Sequence, residues 1–117
     1  MIKVYDGDTI TIAAYLPYPD SPLYRFSVRL RYIDAPEIKG SNRNEKYVAE
    51  IARDKLKKKI LNQVVRLKEV ATDKYGRVLA DVWYNGRSMS KWMLKQRLAV
   101  EYDGGKKESP ANWLTYY

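Results

Sequence analysis

The chain has 117 residues with no cysteine and no histidine, and its 22 lysines and arginines exceed its 14 acidic residues, for a formal net charge of +8. Disulfides, zinc sites built from cysteine or histidine, and histidine-based catalytic triads are therefore excluded. Any catalysis must use carboxylates, arginine, lysine, tyrosine or a hard cation bound by oxygen. The excess positive charge favours a polyanionic partner, nucleic acid before an acidic membrane surface.

The first third of the chain has the pattern of β-strands. Residues 9–12 are all β-branched, and a second strand pattern runs over residues 24–33, where apolar and arginine side chains alternate. Three prolines within residues 16–23 mark the loop between these strands, because proline cannot donate to a sheet. Residues 34–37, Asp-Ala-Pro-Glu, then interrupt the strand pattern with a proline between two acidic residues.

A helix is predicted over residues 45–62, because apolar side chains recur every four residues at Val48, Ala52, Leu56 and Ile60. Four lysines crowd its last turns. They are interpreted as a solvated face that suits the negative end of the helix dipole, rather than as a stripe that contacts phosphate.

The rest of the chain predicts four further elements: strands over residues 64–70 and 77–84, a tight turn at Asn85-Gly86, and a helix over residues 88–97. Ser109 and Pro110 are interpreted as the N-cap and the first residue of a short final helix.

This order of elements predicts a mainly β fold of the α+β class. It fits a five-stranded Greek-key barrel of the oligonucleotide-binding type, with two to three helices, one of which lies between the third and fourth strands. An open α+β sheet is the alternative. Because no linker, repeat or low-complexity segment interrupts the chain, residues 1–117 are expected to form one domain.

Membrane insertion and export receive no support from the sequence. No apolar run approaches the roughly 20 residues that span a bilayer. The first residues enter a strand pattern at once, without the apolar region of a signal peptide. The compartment stays open, with the cytoplasm favoured over secretion.

Four carboxylates lie at breaks between predicted strands: Asp6 and Asp8 flank Gly7, and Asp34 precedes Glu37 by three residues. Each pair alone is ordinary turn chemistry. In a chain of net charge +8, however, their concentration at strand ends favours a site for a hard cation such as Ca²⁺ or Mg²⁺, which prefers oxygen ligands.

Two arginines lie beside the same breaks. Arg29 is in the strand that leads to Asp34, and Arg77 opens a later strand. A strand arginine is commonly solvated or salt-bridged, but a guanidinium fork also matches two phosphate oxygens. A cation, two arginines and a carboxylate base would together suffice for attack of water on a phosphodiester.

Three segments then allow a more specific interpretation. Residues 4–9, 28–37 and 72–77 resemble, in order and approximate separation, the three signature segments of the staphylococcal nuclease (thermonuclease-like) family. The resemblance covers nearly the whole chain, and it implies the five-stranded oligonucleotide-binding barrel together with calcium-dependent hydrolysis of DNA and RNA.

The resemblance also implies roles for the acidic segments. Asp8, Asp34 and the main-chain carbonyl of Ala35 would be ligands of the Ca²⁺ ion. Glu37 falls at the position assigned as general base, and Asp6 would be a nearby acid that helps to set the charge of the site. The family commonly has threonine where Ala35 stands, a change that leaves a main-chain ligand available.

The remaining implied roles concern the substrate. Arg29 and Arg77 would hold the phosphate and stabilise the transition state, whereas Lys74, Tyr75 and Tyr102 would contact the nucleic acid.

The expected enzyme is thus a monomeric, sugar-nonspecific endonuclease that prefers single-stranded or fraying regions and has no membrane partner. The alternative is a catalytically silent barrel of the same fold that binds nucleic acid. Electrostatic association with a membrane would explain the charge but none of the three motifs. The 11 tyrosines fit either core positions or stacking on unpaired bases.

Overall fold

The computed structural model describes residues 1–39, 42–102, 110 and 112–117. It contains eight strands: β1 (Lys3–Asp6), β2 (Thr9–Tyr15), β3 (Leu23–Leu30), β4 (Ile33–Asp34), β5 (Arg66–Thr72), β6 (Val78–Tyr84), β7 (Arg87–Ser88) and β8 (Val100–Glu101). It contains three helices: α1 (Arg43–Ile60), α2 (Met89–Lys95) and α3 (Trp113–Tyr116).

The larger sheet has the strand order β1-β2-β3-β6-β5, with β7 paired to β6. Neighbouring strands are antiparallel except β3 and β6, which run parallel. A small second sheet pairs β4 with β8. This arrangement, with α1 between β4 and β5, confirms the predicted mainly β fold of the α+β class. Within the described residues no pairing joins β5 to β1, so the sheet stays open where a complete barrel would close.

The strand predicted over residues 24–33 divides into β3 and β4. The backbone of Tyr32 has a positive φ of 74°, which a continuous strand does not accommodate. The Tyr32 hydroxyl donates a hydrogen bond to the Glu69 carboxylate on β5. The break therefore turns the chain before Asp34, so that the acidic segment leaves the sheet and lies against other elements.

Helix α1 confirms the predicted apolar stripe, since Val48, Ala52, Leu56 and Ile60 are all fully buried. It begins at Arg43, two residues before the predicted start, because the Asn42 side chain caps it by accepting the main-chain N–H of Glu45. The stripe packs this helix against β1, and so against the strand that carries the first acidic motif.

The final helix begins later than predicted. Its N-cap is Asn112, whose side chain accepts the main-chain N–H of Leu114, and Pro110 lies outside the helix. The assignment of Pro110 as the first helical residue is therefore wrong, and Ser109 lies outside the described residues. None of the helices in the described part of the chain combines the length and the apolar character that crossing a bilayer requires.

Candidate nuclease-like active site

A cavity of about 280 Å³ brings together most of the acidic and basic residues singled out in the sequence. Its lining comes from the end of β1, the β1–β2 connection, the start of β2, β3, the segment after β4 and the turn before β6: Tyr5, Asp6, Asp8, Thr9, Arg29, Glu37, Ile38, Lys39 and Arg77. The three sequence motifs therefore converge on one place, although they lie far apart along the chain.

A β-bulge in β1 sets the first motif. Val4 pairs with Ile10 and Asp6 pairs with Thr9, so Tyr5 is the extra residue on the bulged strand. Because a bulge shifts the alternation of side chains by one position, Asp6 comes into register with Thr9 and, through it, with Arg29 on β3.

Gly7 allows the β1–β2 connection to lie directly against the rest of the core. A Cβ atom at this position would lie 2.9 Å from Ala35 Cβ, 3.0 Å from Ala52 Cβ and 3.1 Å from Met93 Cε. Only glycine fits such a close approach. The contact places Asp8, the next residue, beside the segment after β4.

Asp8, Arg29 and Asp34 form a buried ionic cluster. One nitrogen of Arg29, Nη2, lies 3.5 Å from Asp8 Oδ2 and 3.3 Å from Asp34 Oδ1. Asp8 Oδ2 also accepts the main-chain N–H of Ala35 at 2.9 Å. The other terminal nitrogen of Arg29, Nη1, donates to the main-chain oxygen of Ile33 at 3.1 Å. The guanidinium therefore has a fixed position between the two aspartates.

Asp6, two residues before Asp8, lies beside this ionic cluster. Burial, with added repulsion and hydrogen bonding from Asp8, raises the pKa of Asp6 to about 8. One Asp6 oxygen accepts the main-chain N–H of Asp8 at 3.2 Å. Burial and the neighbouring Asp8 therefore both favour the protonated form of Asp6.

The donor chemistry of Asp8 and Asp34 suits a hard cation such as Ca²⁺, because both are buried carboxylates at one cluster. Throughout residues 1–39, 42–102, 110 and 112–117, however, no group of three or more acidic side chains is arranged to hold a metal ion. A cation bound here would need oxygens from the main chain, such as that of Ala35, or from water and substrate.

Arg77 reaches the cavity from the turn between β5 and β6. Asp73 accepts the main-chain N–H groups of Tyr75 at 2.9 Å and of Arg77 at 2.8 Å, and it accepts Arg77 Nε at 2.6 Å. Desolvation opposes ionisation of Asp73, but these hydrogen bonds outweigh it and lower the pKa of its carboxyl group. Asp73 therefore fixes both the turn and the arginine.

Lys74 and Tyr75 occupy the same turn but do not line the cavity. Both are exposed, Tyr75 to 73%. The Tyr75 ring lies 5.3 Å from Lys74 Nζ and 5.7 Å from Arg77 Cζ. They form an aromatic and basic rim next to Arg77 rather than a part of the cavity wall.

Tyr102 lies against Arg29, with the ring centre 5.2 Å from the guanidinium carbon. Its main-chain N–H donates to the Tyr32 oxygen at 2.9 Å, directly after the β4–β8 pairing. The small second sheet thus brings a residue from a late part of the chain to the ionic cluster.

Glu37 is exposed at the cavity, on the segment after β4. Its main-chain N–H donates to the Glu45 carboxylate at 3.0 Å, which ties this segment to the first turn of α1. Tyr5, Thr9 and Lys39 also line the cavity, although the motifs assigned no role to them. The sequence signal that could have identified these three residues as cavity residues is their nearness to Asp6, Asp8 and Glu37.

Comparison with known proteins shows the family to which the chain belongs. A family model described as "Staphylococcal nuclease homologue" matches residues 27–114. The chain belongs to this family.

Three relatives in the staphylococcal nuclease family illustrate its range. A "Probable endonuclease LCL3" of Kluyveromyces lactis is 35% identical over 108 residues, 87% of this chain and 40% of the relative. A "Thermonuclease" of Staphylococcus hyicus is 33% identical over 103 residues, 86% of this chain and 54% of the relative. A "Staphylococcal-like nuclease CAN1" of Arabidopsis thaliana is 34% identical over 92 residues, 76% of this chain and 26% of the relative. The chain thus spans between about a quarter and just over half of these relatives.

Proposed function

We propose that this chain hydrolyses phosphodiester bonds of DNA and RNA, with calcium as its cofactor. The observation that carries the proposal is the buried cluster in which one nitrogen of Arg29 lies within 3.5 Å of both Asp8 and Asp34. Arg77 and Glu37 line the cavity beside this cluster. The names of the relatives, which include an endonuclease and a thermonuclease, support the same reaction.

Asp8, Asp34 and the main-chain carbonyl of Ala35 would hold the calcium ion, with water and substrate oxygens completing its roughly six to eight ligands. When bound, the ion would offset the negative charge that develops on the phosphate during attack. Asp6, which lies beside Asp8, helps to set the charge of this cluster of acids.

Arg29 and Arg77 bind the phosphate from two sides in this proposal. Two anchors support that role: the Ile33 carbonyl holds Nη1 of Arg29, and Asp73 holds Nε of Arg77. Both guanidinium groups are therefore positioned before substrate arrives. They need little reorganisation to stabilise the negative charge that develops on the phosphate in the transition state.

Glu37 acts as the general base. Its carboxylate takes a proton from the attacking water, whose oxygen bonds to phosphorus while the bond from phosphorus to the leaving oxygen breaks. The leaving oxygen takes a proton from solvent water, and Glu37 returns its proton to solvent. The position of Glu37 at the cavity supports this role, as does the hydrogen bond that ties its main chain to α1. General-base catalysis of this kind contributes typically about 10²–10⁴-fold to rate.

The finer features of the substrate complete the proposal. Lys74 and Tyr75 contact phosphates next to the cleaved bond. Tyr102, whose ring lies against Arg29, also contacts the nucleic acid. The net charge of +8 favours a polyanionic substrate, and the exposed Tyr75 ring favours one with unpaired bases. The chain acts as a single domain and as a monomer.

A divalent-cation titration tests the proposal. Purified protein is incubated with end-labelled single-stranded DNA and RNA over a range of calcium concentrations, and with EGTA. We expect fragments of both polymers that depend on calcium. Glu37→Gln is expected to lose most of the activity, and Glu50→Gln, a half-buried glutamate on α1 away from the cavity lining, is the matched control.

Three outcomes count against parts of the proposal. Binding of labelled DNA without products at any calcium concentration would identify a silent binding module. Full activity in EGTA would remove calcium from the reaction. Equal losses in Glu37→Gln and Glu50→Gln, with both variants folded by circular dichroism, would remove the specific role of Glu37.

A further inference from the structure

A row of basic and aromatic side chains leads away from the cavity along the β2–β3 hairpin. In the antiparallel register, Thr9 pairs with Arg29, Ala13 with Arg25, and Tyr15 with Leu23. Residues paired in this way, and those two positions further along each strand, lie on one face of the sheet. Arg25 and Tyr15 therefore share the face on which Arg29 meets the cavity.

Strand β1 adds a second cation to this face. Lys3 pairs with Thr11, and Thr11 pairs with Ser27, so these three residues form the row next to Arg29. Lys3 and Ser27 are exposed and Thr11 is half-buried. We refer to Lys3, Arg25 and Tyr15 as the hairpin track.

The spacing of the hairpin track suits an extended polymer. Successive rows are two residues apart, or about 7 Å, so the track runs about 20 Å from the Arg29 row to the Tyr15 row. That length accommodates a few nucleotides beyond the cleaved bond.

The chemistry of the hairpin track also suits a nucleic acid strand. The three rows beyond Arg29 hold two cations and no carboxylate, and the small side chains of Thr11, Ala13 and Ser27 leave the space between the cations shallow. Arg25 is exposed, and Tyr15 is exposed to 71%. An exposed tyrosine ring can stack only on a base that is not already stacked in a duplex.

We propose that the hairpin track binds the single-stranded flank of the substrate, with Lys3 and Arg25 on successive phosphates and Tyr15 stacked on an unpaired base. This inference rests on the proposed nuclease function, because the flank is defined by a phosphate held at Arg29. It assigns to the hairpin a preference for long, unpaired substrates.

The test compares cleavage of a trinucleotide with cleavage of a single-stranded oligonucleotide of about 12 residues, within the usual site size of such barrels. The quantity measured is the ratio of kcat/KM for the longer substrate to that for the trinucleotide. Tyr15→Ala and Arg25→Ala are each expected to lower this ratio on the order of tenfold. Lys57→Ala, an exposed lysine on α1, is the matched control and is expected to leave the ratio unchanged.

Two further readouts separate the individual contacts. Arg25→Ala is expected to reduce by about 0.7 the slope of log affinity against log salt concentration, whereas Tyr15→Ala leaves that slope unchanged. Annealing the complementary strand to the longer substrate should remove the effect of Tyr15→Ala. An unchanged ratio in both variants, or an equal fall in the Lys57→Ala control, would overturn the inference.

A binding assay distinguishes failure of the nuclease proposal from failure of the hairpin-track proposal. If the native protein cleaves neither substrate, the same variants are compared by fluorescence anisotropy of the labelled longer strand. Weaker binding in Tyr15→Ala and Arg25→Ala, but not in Lys57→Ala, would then support the hairpin track as a nucleic-acid site without cleavage. Equal binding in all of them would overturn it.

Discussion

Replacing Gly7 with alanine should show how the first motif reaches the site. The added Cβ would lie 2.9 Å from Ala35 Cβ, 3.0 Å from Ala52 Cβ and 3.1 Å from Met93 Cε. The Met93 methyl group can move, but each alanine Cβ moves only with its main chain. The clash can therefore be relieved only by displacing the β1–β2 connection, α1 or the segment after β4.

The magnitude follows from that rigidity. Overpacking a core costs typically about 1–3 kcal/mol. Because two of the three contacts are fixed to main chain, we expect Gly7→Ala to lower the free energy of unfolding by about 2–3 kcal/mol. At about 4 °C per kcal/mol for a domain of this size, Tm should fall by about 8–12 °C. Urea denaturation and calorimetry measure both quantities.

Two controls isolate the clash. Gly86 has a positive φ of 77° and open space around its Cβ position, so Gly86→Ala should cost only the backbone strain, about 1 kcal/mol. Ala35→Gly removes the 2.9 Å contact, so Gly7→Ala should cost at least about 1 kcal/mol less in that background. The same cost in both backgrounds would refute the steric explanation.

Three further predictions concern the site. Glu37→Gln should lower kcat on the order of 10² or more at saturating calcium, and near-native turnover would exclude Glu37 as the base. Arg29→Ala removes the cation between two buried carboxylates. In urea titrations with EGTA present, it should lower the free energy of unfolding by about 3–5 kcal/mol. A loss below about 1 kcal/mol would contradict the ionic cluster. Affinity for single-stranded DNA should fall with salt, with a log–log slope of about −0.7 for each phosphate contact, and a flat dependence of KM would argue against binding by the basic face.

Three local features of the backbone place the motifs at the site. The bulge at Tyr5 brings Asp6 into register with Thr9, and Gly7 permits the close approach that sets Asp8 beside Ala35. Asp73 fixes the turn that presents Arg77. Each of these features lies within or next to a sequence motif, so the motifs specify backbone geometry as well as the charged side chains of the site.

The sequence alone predicted the elements whose causes are local. Helix α1 followed from apolar residues at a spacing of four, which one helix face must bury. The turn at Asn85-Gly86 followed from two residues that tolerate positive φ, and both adopt it. The absence of cysteine and histidine by itself limited any chemistry to oxygen ligands, carboxylates and cations.

Sequence patterns could not place the break at Tyr32 or the cap at Asn112. The Tyr32 break is accompanied by a hydrogen bond to Glu69, which is 37 residues away in the chain. The cap shows that more than one polar residue could begin the last helix. Local propensity is a weak guide where tertiary contacts decide between alternatives of similar energy. The open edge between β5 and β1, among the described residues, is likewise a property of the assembled sheet.

Only the tertiary structure decided how the charged groups meet. Arg29 lies 21 residues from Asp8 in the chain, yet one of its nitrogens contacts both Asp8 and Asp34. Tyr102 reaches the same guanidinium through the pairing of β4 with β8. Such contacts depend on strand register, on the bulge in β1 and on the space left by Gly7, and these are set by packing among segments that are distant in sequence.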